Sequence, residues 1–474
     1  MNRQEDGKKT VISIICNSVT VVIAMIVSLI TTVLITKVIS LSDLGIATSF
    51  TTLKGIVTII SVLSIYISIN RMLLDTEGKD YEFLSSIYLF SNSFCIFVYL
   101  IYLIFHRYLN SFLGFDLSMM TLMFSMIFMI NGCTLLVAYW NFKNKYKYTF
   151  IYSILCNPVS QLSSVLFAYL LSSHKYLGRI VGVDLFNILF GIGCGIFILY
   201  KGKLKINKTY IKKSLKICIP MIPHLLAQLL LTSCDLLMIK NMVGNSSAGI
   251  YSMSYTIANI LYTVLIQLFN PWSPWVYRRL KNKEIDSIKR NSSLLMTLCF
   301  YLCIGLMCVV PELIKLFLNN SYLPSISLVA PICVGIFFQI MYIFFYDIEY
   351  FHKKNKQIAF FSVMTAILNI ILNYFGIKLF GYCAAAYTTL ISYFILLLLH
   401  YFGMKRVDKN NYYNIKYMII LSVLLLLLLA TCIFFDNNIY IRYIILLIVS
   451  LYLFTKYKKI IFTFIKYRRL EIDD

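Results

Sequence analysis

The sequence predicts an all-α polytopic membrane protein with about 14 transmembrane helices. Composition, long apolar runs and the distribution of basic residues predict it. Of the 474 residues, 60% are hydrophobic and 13% are charged, whereas a soluble domain carries about 25% charged residues. Uncharged runs such as "ICNSVTVVIAMIVSLITTVLIT", from Ile15, reach about 20 residues. At 1.5 Å per residue this length matches a hydrocarbon core of about 30 Å.

Hydropathy places fourteen spans along the chain. The first is too long for the apolar region of a signal peptide, about 7–15 residues, so we interpret it as a retained span. The predicted spans are 11–36, 45–70, 82–104, 117–141, 149–172, 179–200, 214–240, 248–270, 292–314, 325–348, 357–376, 380–402, 413–434 and 438–456.

The basic residues predict the orientation, because cytoplasmic loops of membrane proteins carry an excess of Lys and Arg. With the N-terminus in the cytoplasm, 34 of the 43 Lys and Arg residues fall in cytoplasmic segments and 8 in outer segments, and Lys54 lies inside a span. Both termini are therefore predicted to be cytoplasmic. The net charge of +23 is spread over short loops that face anionic lipid, which excludes a nucleic-acid partner.

Several function classes lack their sequence signals. Every predicted outer loop is too short for the acidic catalytic loop of a membrane glycosyltransferase, and no P-loop is present. The 13 Cys and 5 His residues are scattered without metal-ligand spacing. No acid/base pair or activated nucleophile is apparent. We therefore expect neither an enzyme nor a metal site.

An internal repeat divides the chain. "SDLGIATSFTTL", from Ser42, resembles "SSAGIYSMSYTI", from Ser246, and aligns Gly45 with Gly249 at an offset of 204. Two further matches follow in the same order. The repeat predicts pseudo-symmetric six-helix lobes at 1–202 and 203–404, and a segment at 405–474 with helices 13 and 14 and a basic cytoplasmic tail. Because six is even, both copies begin in the cytoplasm, and a site is expected between them near the midplane.

Four ordered segments carry a family resemblance over nearly the whole chain. Together they resemble the Wzx-type polysaccharide flippases of the MOP/MATE-like superfamily. One departure is that Leu236 follows Asp235 where many relatives have Arg. The segments are "ITKVISLSDLGIATSF" from Ile35, "INRMLLDTEGKDYEFLSS" from Ile69, "IPMIPHLLAQLLLTSCDLLMIKNMVGNSSAGIYSMSY" from Ile219 and "ILNIILNYFGIKLFGYCAAAYTTLISY" from Ile367.

The resemblance implies translocation of undecaprenyl-pyrophosphate-linked oligosaccharide repeat units across the bacterial cytoplasmic membrane, for capsule or O-antigen synthesis. The implied mechanism is alternating access of two lobes around a cation-lined cavity. Membrane lipids and the polysaccharide polymerase machinery are the further partners it implies. No cofactor is expected apart from H⁺ or Na⁺ used for coupling.

Lys54 and Asp235 are the leading site candidates, because ionisable groups in a span usually face a cavity or a partner. Lys54 either faces the cavity and attracts pyrophosphate, snorkels to the interface, or forms a structural ion pair. Asp235 is a coupling site for H⁺ or Na⁺, an inter-lobe partner of Lys54 or Lys240, or a helix-end charge. Lys240 is a further cavity candidate.

Other candidates rest on residue type and position. Pro220 and Pro223 predict a bend at the start of span 7 that either gates the cavity or only packs. His224 and Gln228 follow; His224 is a bundle residue or a proton relay. The remaining candidates are Arg71, for a lipid headgroup or as a solvated charge, and Tyr251 and Tyr255, for sugar stacking or packing.

Three other functions compete with the flippase. A MATE-type exporter of drugs or organic cations shares the duplicated architecture, but it needs acidic groups deep in the cavity, and span 1 has none. A lipid II flippase also has fourteen spans, but an arginine-rich cavity pattern is not apparent. A receptor or scaffold would not need two duplicated lobes.

Overall fold

A computed structural model describes residues 23–73, 76, 78–143, 145–435, 438–448, 450 and 451 of the chain. The first part of predicted span 1, the last part of span 14 and the basic tail lie outside these residues.

The described chain folds into fourteen helices in the predicted order. Twelve are long and apolar enough to cross a membrane, and the described parts of α1 and α14 are shorter. The polytopic all-α prediction is therefore confirmed. The first seven helices are α1 Ile23–Val38, α2 Leu41–Ser61, α3 Asp80–Leu113, α4 Leu117–Phe142, α5 Lys147–Leu170, α6 Lys175–Gly202 and α7 Lys208–Met242. The others are α8 Asn245–Lys281, α9 Ile285–Phe317, α10 Asn320–Phe351, α11 Asn355–Phe380, α12 Ala384–Val407, α13 Ile415–Phe434 and α14 Ile439–Ile448.

Polar caps explain why several helices begin where they do. The Ser40 side chain accepts a hydrogen bond from the Asp43 N–H at 3.1 Å at the start of α2. Asp116 accepts from the Met119 N–H, also at 3.1 Å, at the start of α4. Such caps satisfy N–H groups that the first helical turn leaves unpaired.

Some helices are longer than hydropathy predicts. α3 has 34 residues and α8 has 37, so α8 spans about 55 Å and extends past the hydrocarbon core. Hydropathy detects only the apolar middle of such a helix, because its ends carry polar residues.

Predicted span 2 ends earlier than expected. The α-helical part of 45–70 stops at Ser61, and Leu63 and Ser64 then adopt positive φ angles of 55° and 46°. A 3-10 turn, Ile65–Ser68, follows. Non-glycine residues in this conformation are strained and concentrate at functional sites.

Two other helices are irregular inside the predicted membrane. α5 contains a π-helical turn, Leu155–Val159, around Pro158. α7 is interrupted by the 3-10 turn Ile219–Met221, which contains Pro220. Proline cannot donate the helical hydrogen bond, and π-turns often mark functional sites.

The chain forms two compact units. Unit 1 comprises residues 1–253, 318–322 and 354–396, and unit 2 comprises 254–317, 323–353 and 397–474. Unit 1 thus holds α1–α7, the start of α8, α11 and most of α12. The predicted division at residues 202 and 404 remains a prediction.

The two glycines aligned by the internal repeat meet inside unit 1. A Cβ on Gly45 would collide with the backbone oxygen of Asn245 and approach the Gly249 nitrogen, and a Cβ on Gly249 would collide with the Leu41 oxygen. The starts of α2 and α8 therefore touch through backbone atoms. A two-fold relation between the two copies would bring equivalent residues together in this way, and the pseudo-symmetry of the lobes remains a prediction.

Replacing Gly45 or Gly249 by alanine is expected to destabilise unit 1, because the new methyl group must push α2 and α8 apart. Overpacking of this kind costs about 1–3 kcal/mol. The thermal stability of the purified protein, measured by fluorescence-detected size exclusion, would show it. Gly193→Ala is the matched control, because a Cβ there meets no atom within 4 Å. Equal stability of all three variants would contradict the close approach.

Candidate functional site

An ion pair between α2 and α6 lies at the centre of the candidate site. Lys54 donates to the Asp184 carboxylate, and the two side chains are 15% and 10% exposed. Both lie in membrane-spanning helices, where charges are costly unless they are paired or face a cavity. Lys54 meets both conditions, because it is paired with Asp184 and faces a cavity. Two roles that the sequence analysis gave as alternatives for Lys54, facing the cavity and forming an ion pair, therefore apply together.

The pair lines a cavity of about 310 Å³ inside unit 1. Its wall alternates apolar groups with hydroxyl and amide groups, which can hydrogen-bond to sugars or phosphates. Ser64, one of the two strained residues after α2, is part of this wall. The polar lining residues are Lys54, Thr58, Ser64, Tyr66, Asn131, Thr134, Asp184 and Asn187.

A second cavity, of about 440 Å³, shares Tyr66 and Thr134 with the first and reaches Asn141 near the end of α4. Hydrogen bonds hold several of the lining side chains. Tyr152 donates to Asn187 at 3.0 Å, and Asn131 donates to Ser91 at 2.7 Å. These bonds hold the polar groups in fixed directions, so the two cavities form a polar lane along α4.

Asp235 occupies a different place in unit 1. It is 1% exposed and accepts hydrogen bonds from the hydroxyl of Tyr251 and, at 3.2 Å, from that of Thr389. No Lys or Arg nitrogen of the described chain forms an ion pair with it. The Asp235–Lys54 pair considered from the sequence is not formed in this conformation, because each side chain has another partner.

A buried polar cluster continues from Asp235 into α11 and α12. Asn369 donates to Thr389 and Ser392 at 3.2 Å each, and Asn373 donates to Asn369 at 3.1 Å. Thr388 in turn donates to Asn373. The paired Asn residues of the fourth family segment are thus linked to the Asp235 carboxylate through Thr389.

Other predicted residues contribute in other ways. Lys240 donates to the Gly114 carbonyl at 2.7 Å and lies 3.1 Å from the centre of the Phe115 ring. It thus closes the C-terminal end of α3 and does not line either cavity. Tyr251 is buried against Asp235, so it is not presented to a sugar here. Tyr255 is half-buried.

The residues around the α7 break are accessible or half-buried. Pro220 and Pro223 are exposed, and His224 and Gln228 lie half-buried in the segment that follows. A 3-10 turn interrupts the helix at Pro220, while the bend and its role in gating remain predictions. Arg71 is exposed in the short turn Ile69–Met72.

Asp184 was missed from the sequence. It stands in "YLGRIVGVDLFN", from Tyr176, which is one of the two further segments of the internal repeat. The rule that identified Lys54, an ionisable residue inside an apolar span, applies equally to Asp184 and would have found it.

Unit 2 contains buried carboxylates whose partners lie within the unit. Asp347 accepts from Ser273 at 3.0 Å and Tyr277 at 2.9 Å, and the fully buried Glu349 pairs with His400.

Arg442, counted from the sequence as an outer basic residue, is 1% exposed. It forms two hydrogen bonds with Glu312 in α9, one at 2.9 Å, and donates to the Cys308 carbonyl. It therefore joins α14 to α9 inside unit 2.

Comparisons with known proteins agree with this architecture. The model of a family described as polysaccharide biosynthesis protein matches residues 34–327. The sequence matches none of the curated proteins. One similar solved structure is the lipid II flippase MurJ in its inward closed conformation, with TM-score 0.72 and 16% identity over 94% of this chain and 99% of that chain.

Another similar structure is the inward-facing conformation of a multidrug resistance MATE family transporter of the MOP superfamily. It has TM-score 0.62 and 10% identity over 82% of this chain and 96% of that chain. Identities this low establish the fold alone. With the family match over more than half of the chain, they confirm the resemblance inferred from the sequence: this multi-pass membrane protein belongs to the family of polysaccharide biosynthesis proteins and has the fold of MOP-superfamily transporters.

Proposed function

We propose that the chain is a flippase that moves polyprenyl-pyrophosphate-linked oligosaccharide across the bacterial cytoplasmic membrane, by alternating access, for capsule or O-antigen synthesis. The polyprenyl carrier is undecaprenyl in this proposal. Both termini are cytoplasmic, as the distribution of Lys and Arg favours. No chemical step on the sugar is included.

The observation that carries the proposal is the Lys54–Asp184 pair in the wall of a polar cavity. A pyrophosphate that enters the cavity can take the place of Asp184 as the partner of the Lys54 ammonium. Charge-assisted hydrogen bonds to phosphate are about twice as strong as neutral ones. The amide and hydroxyl groups of the lane along α4 offer further partners to the sugar.

Asp184 has a defined part in this proposal. When substrate is absent it neutralises Lys54, which would otherwise be a costly unpaired charge in a membrane helix. When the substrate leaves, Asp184 pairs with Lys54 again, which favours release. The site thus holds an anion without keeping it permanently.

Asp235 is proposed as the coupling group for H⁺ or Na⁺. Its carboxylate is enclosed by donors from α8 and α12, so a change in its charge state would alter the packing of three helices. An ion gradient could in this way bias one conformation over another.

A MATE-type exporter is the second candidate, and one observation favours it. Asp184 adds a carboxylate to the cavity, which an organic cation requires and which the sequence argument had not counted. The adjacent Lys54 opposes this candidate, since it neutralises that carboxylate and repels cations.

Deleting the gene tests both candidates. The flippase proposal expects undecaprenyl-linked repeat units to accumulate in the inner leaflet while surface polysaccharide disappears, and wild-type protein to reverse both effects. Lipid-linked intermediates would be measured by mass spectrometry and surface polysaccharide by immunoblot. Unchanged polysaccharide with increased dye sensitivity would refute the flippase and support the exporter.

A further inference from the structure

An apolar groove runs over α4, α5 and α6 of unit 1. Its volume is about 620 Å³, twice that of the cavity beside Lys54. Apart from Lys145 its walls are almost entirely aromatic or aliphatic. The lining residues include Trp140, Lys145, Tyr148, Leu189, Gly193 and Phe197.

The groove and the polar lane lie on different faces of α4. Leu136 and Trp140 line the groove, whereas Val137 and Asn141 line the second polar cavity. Residues one position apart point about 100° apart around a helix. The groove is therefore a separate feature and not an entrance to the site already described.

Glycine spacing in α6 explains how the groove forms. Gly191 and Gly195 lie one turn apart, and a Cβ on either would collide with a neighbour, the backbone of α4 at Gly191 and the Tyr88 side chain at Gly195. Gly193, between them, faces another way, and a Cβ there would meet no atom within 4 Å. The outer glycines let α6 pack closely, and the middle one leaves the groove empty.

A lysine with no carboxylate partner stands at one end of the groove. Within the described chain, Lys143 pairs with Asp80 at 2.8 Å and Lys205 pairs with Glu82 at 3.3 Å, but no carboxylate pairs with Lys145. Its ammonium lies 5.3 Å from the centre of the Tyr139 ring. The Asp80 carboxylate attracts Lys145 as well as Lys143. Because one carboxylate faces two ammonium groups, this end of the groove keeps a net positive charge that can accept an anionic group.

Two aromatic rings share this end. Trp140 and Tyr148 are stacked with their centres 5.3 Å apart. Trp and Tyr are enriched where lipid headgroups meet the hydrocarbon core. The end with Lys145 therefore lies at headgroup level, and the rest of the groove lies along the acyl chains.

We propose that this groove binds one acyl chain of an anionic phospholipid, with the phosphate of that lipid against Lys145. A lipid is the occupant because the groove opens among side chains that membrane-spanning helices present outward, with Leu189 and Tyr148 each 56% exposed. The lipid is anionic because Lys143 and Lys145 together exceed the charge of the one Asp80 carboxylate near them, and basic sites between helices bind such headgroups. This inference does not depend on which substrate the protein moves.

Native mass spectrometry of the full-length protein would test the proposal. Protein purified from mixed nanodiscs of phosphatidylglycerol and phosphatidylcholine should retain phosphatidylglycerol in preference. Lys145→Gln should weaken retention about fivefold, the effect of one lysine near a lipid surface. The neighbouring Lys147→Gln, on an exposed residue that does not line the groove, should change it much less.

A second variant tests the groove itself. Gly193→Leu should fill the groove and remove the retained lipid, while Gly305→Leu, at another glycine with open space around it, should leave retention unchanged. Should Gly193→Leu fail to fold, brominated lipids give an independent measurement. Brominated phosphatidylglycerol should quench more fluorescence in the wild type than in Trp140→Phe, and brominated phosphatidylcholine should show less of this difference.

Three results would overturn the proposal. They are equal retention of the two phospholipids by the wild type, unchanged retention in folded Gly193→Leu, and preferential retention of added polyprenyl phosphate. The last would assign the groove to the chain of a polyprenyl lipid instead. None of them bears on the deletion experiment, so the two proposals fail separately.

Discussion

Replacing Lys54 by methionine is expected to reduce transport about tenfold to a hundredfold. Methionine keeps most of the side-chain length but removes the ammonium, and a hydrogen bond to a charged group contributes about 1.5–3 kcal/mol. Asp184 is left without its partner in a membrane helix, so it would also oppose an anionic substrate. Restoration of surface polysaccharide in the deletion strain would measure the loss.

The partner residue separates a structural role from a binding role. Asp184→Asn keeps an acceptor for Lys54 and should preserve folding, but it frees Lys54 to hold the pyrophosphate longer, which slows release. The exchanged pair, Lys54→Asp with Asp184→Lys, keeps both charges and should fold. If the exchanged protein transports as well as the wild type, the two residues form only a structural ion pair, and the binding role assigned to Lys54 is wrong.

Asp235→Asn is expected to reduce gradient-driven transport by about 5- to 150-fold, the usual range of coupling between two sites. Asparagine is nearly isosteric and can still accept from Tyr251 and Thr389, so folding should survive. Proteoliposomes with a fluorescent polyprenyl-pyrophosphate analogue, with and without H⁺ or Na⁺ gradients, would measure it. Transport should no longer respond to either gradient.

Tyr251→Phe is the matched control for this prediction. It removes one hydrogen bond to Asp235 but leaves the carboxylate, and so the group that changes charge, in place. Its transport should therefore fall only slightly and should still respond to the gradient. A full response in Asp235→Asn would remove Asp235 from the coupling mechanism.

The sequence predicted the helices well because their signal is local. Each apolar run predicts its own span. The Lys and Arg residues between the runs predict the topology, with both termini in the cytoplasm. What hydropathy could not show was where a helix breaks within an apolar run. The early end of α2 at Ser61 depends on backbone angles at Leu63 and Ser64, and neither residue type signals them.

The site was harder to predict because its pairings are long-range. Lys54 and Asp184 lie 130 positions apart, and nothing in the residues around either one predicts that the two are in contact. The same holds for Arg442 and Glu312 in unit 2, also 130 positions apart. The rule for ionisable residues inside a span identified Lys54 and Asp235. The partners predicted for Asp235 were only the other candidates, Lys54 and Lys240.

The meeting of Gly45 and Gly249 has a consequence for the history of the chain. If the repeat arose by duplication, as the sequence predicts, the single six-helix unit formed a two-fold dimer in which this glycine faced its own copy across the axis. One substitution to glycine in that ancestor would have opened both sides of the contact together. After the duplication each side mutates alone, so either glycine, replaced singly, disrupts an interface that the other still fits.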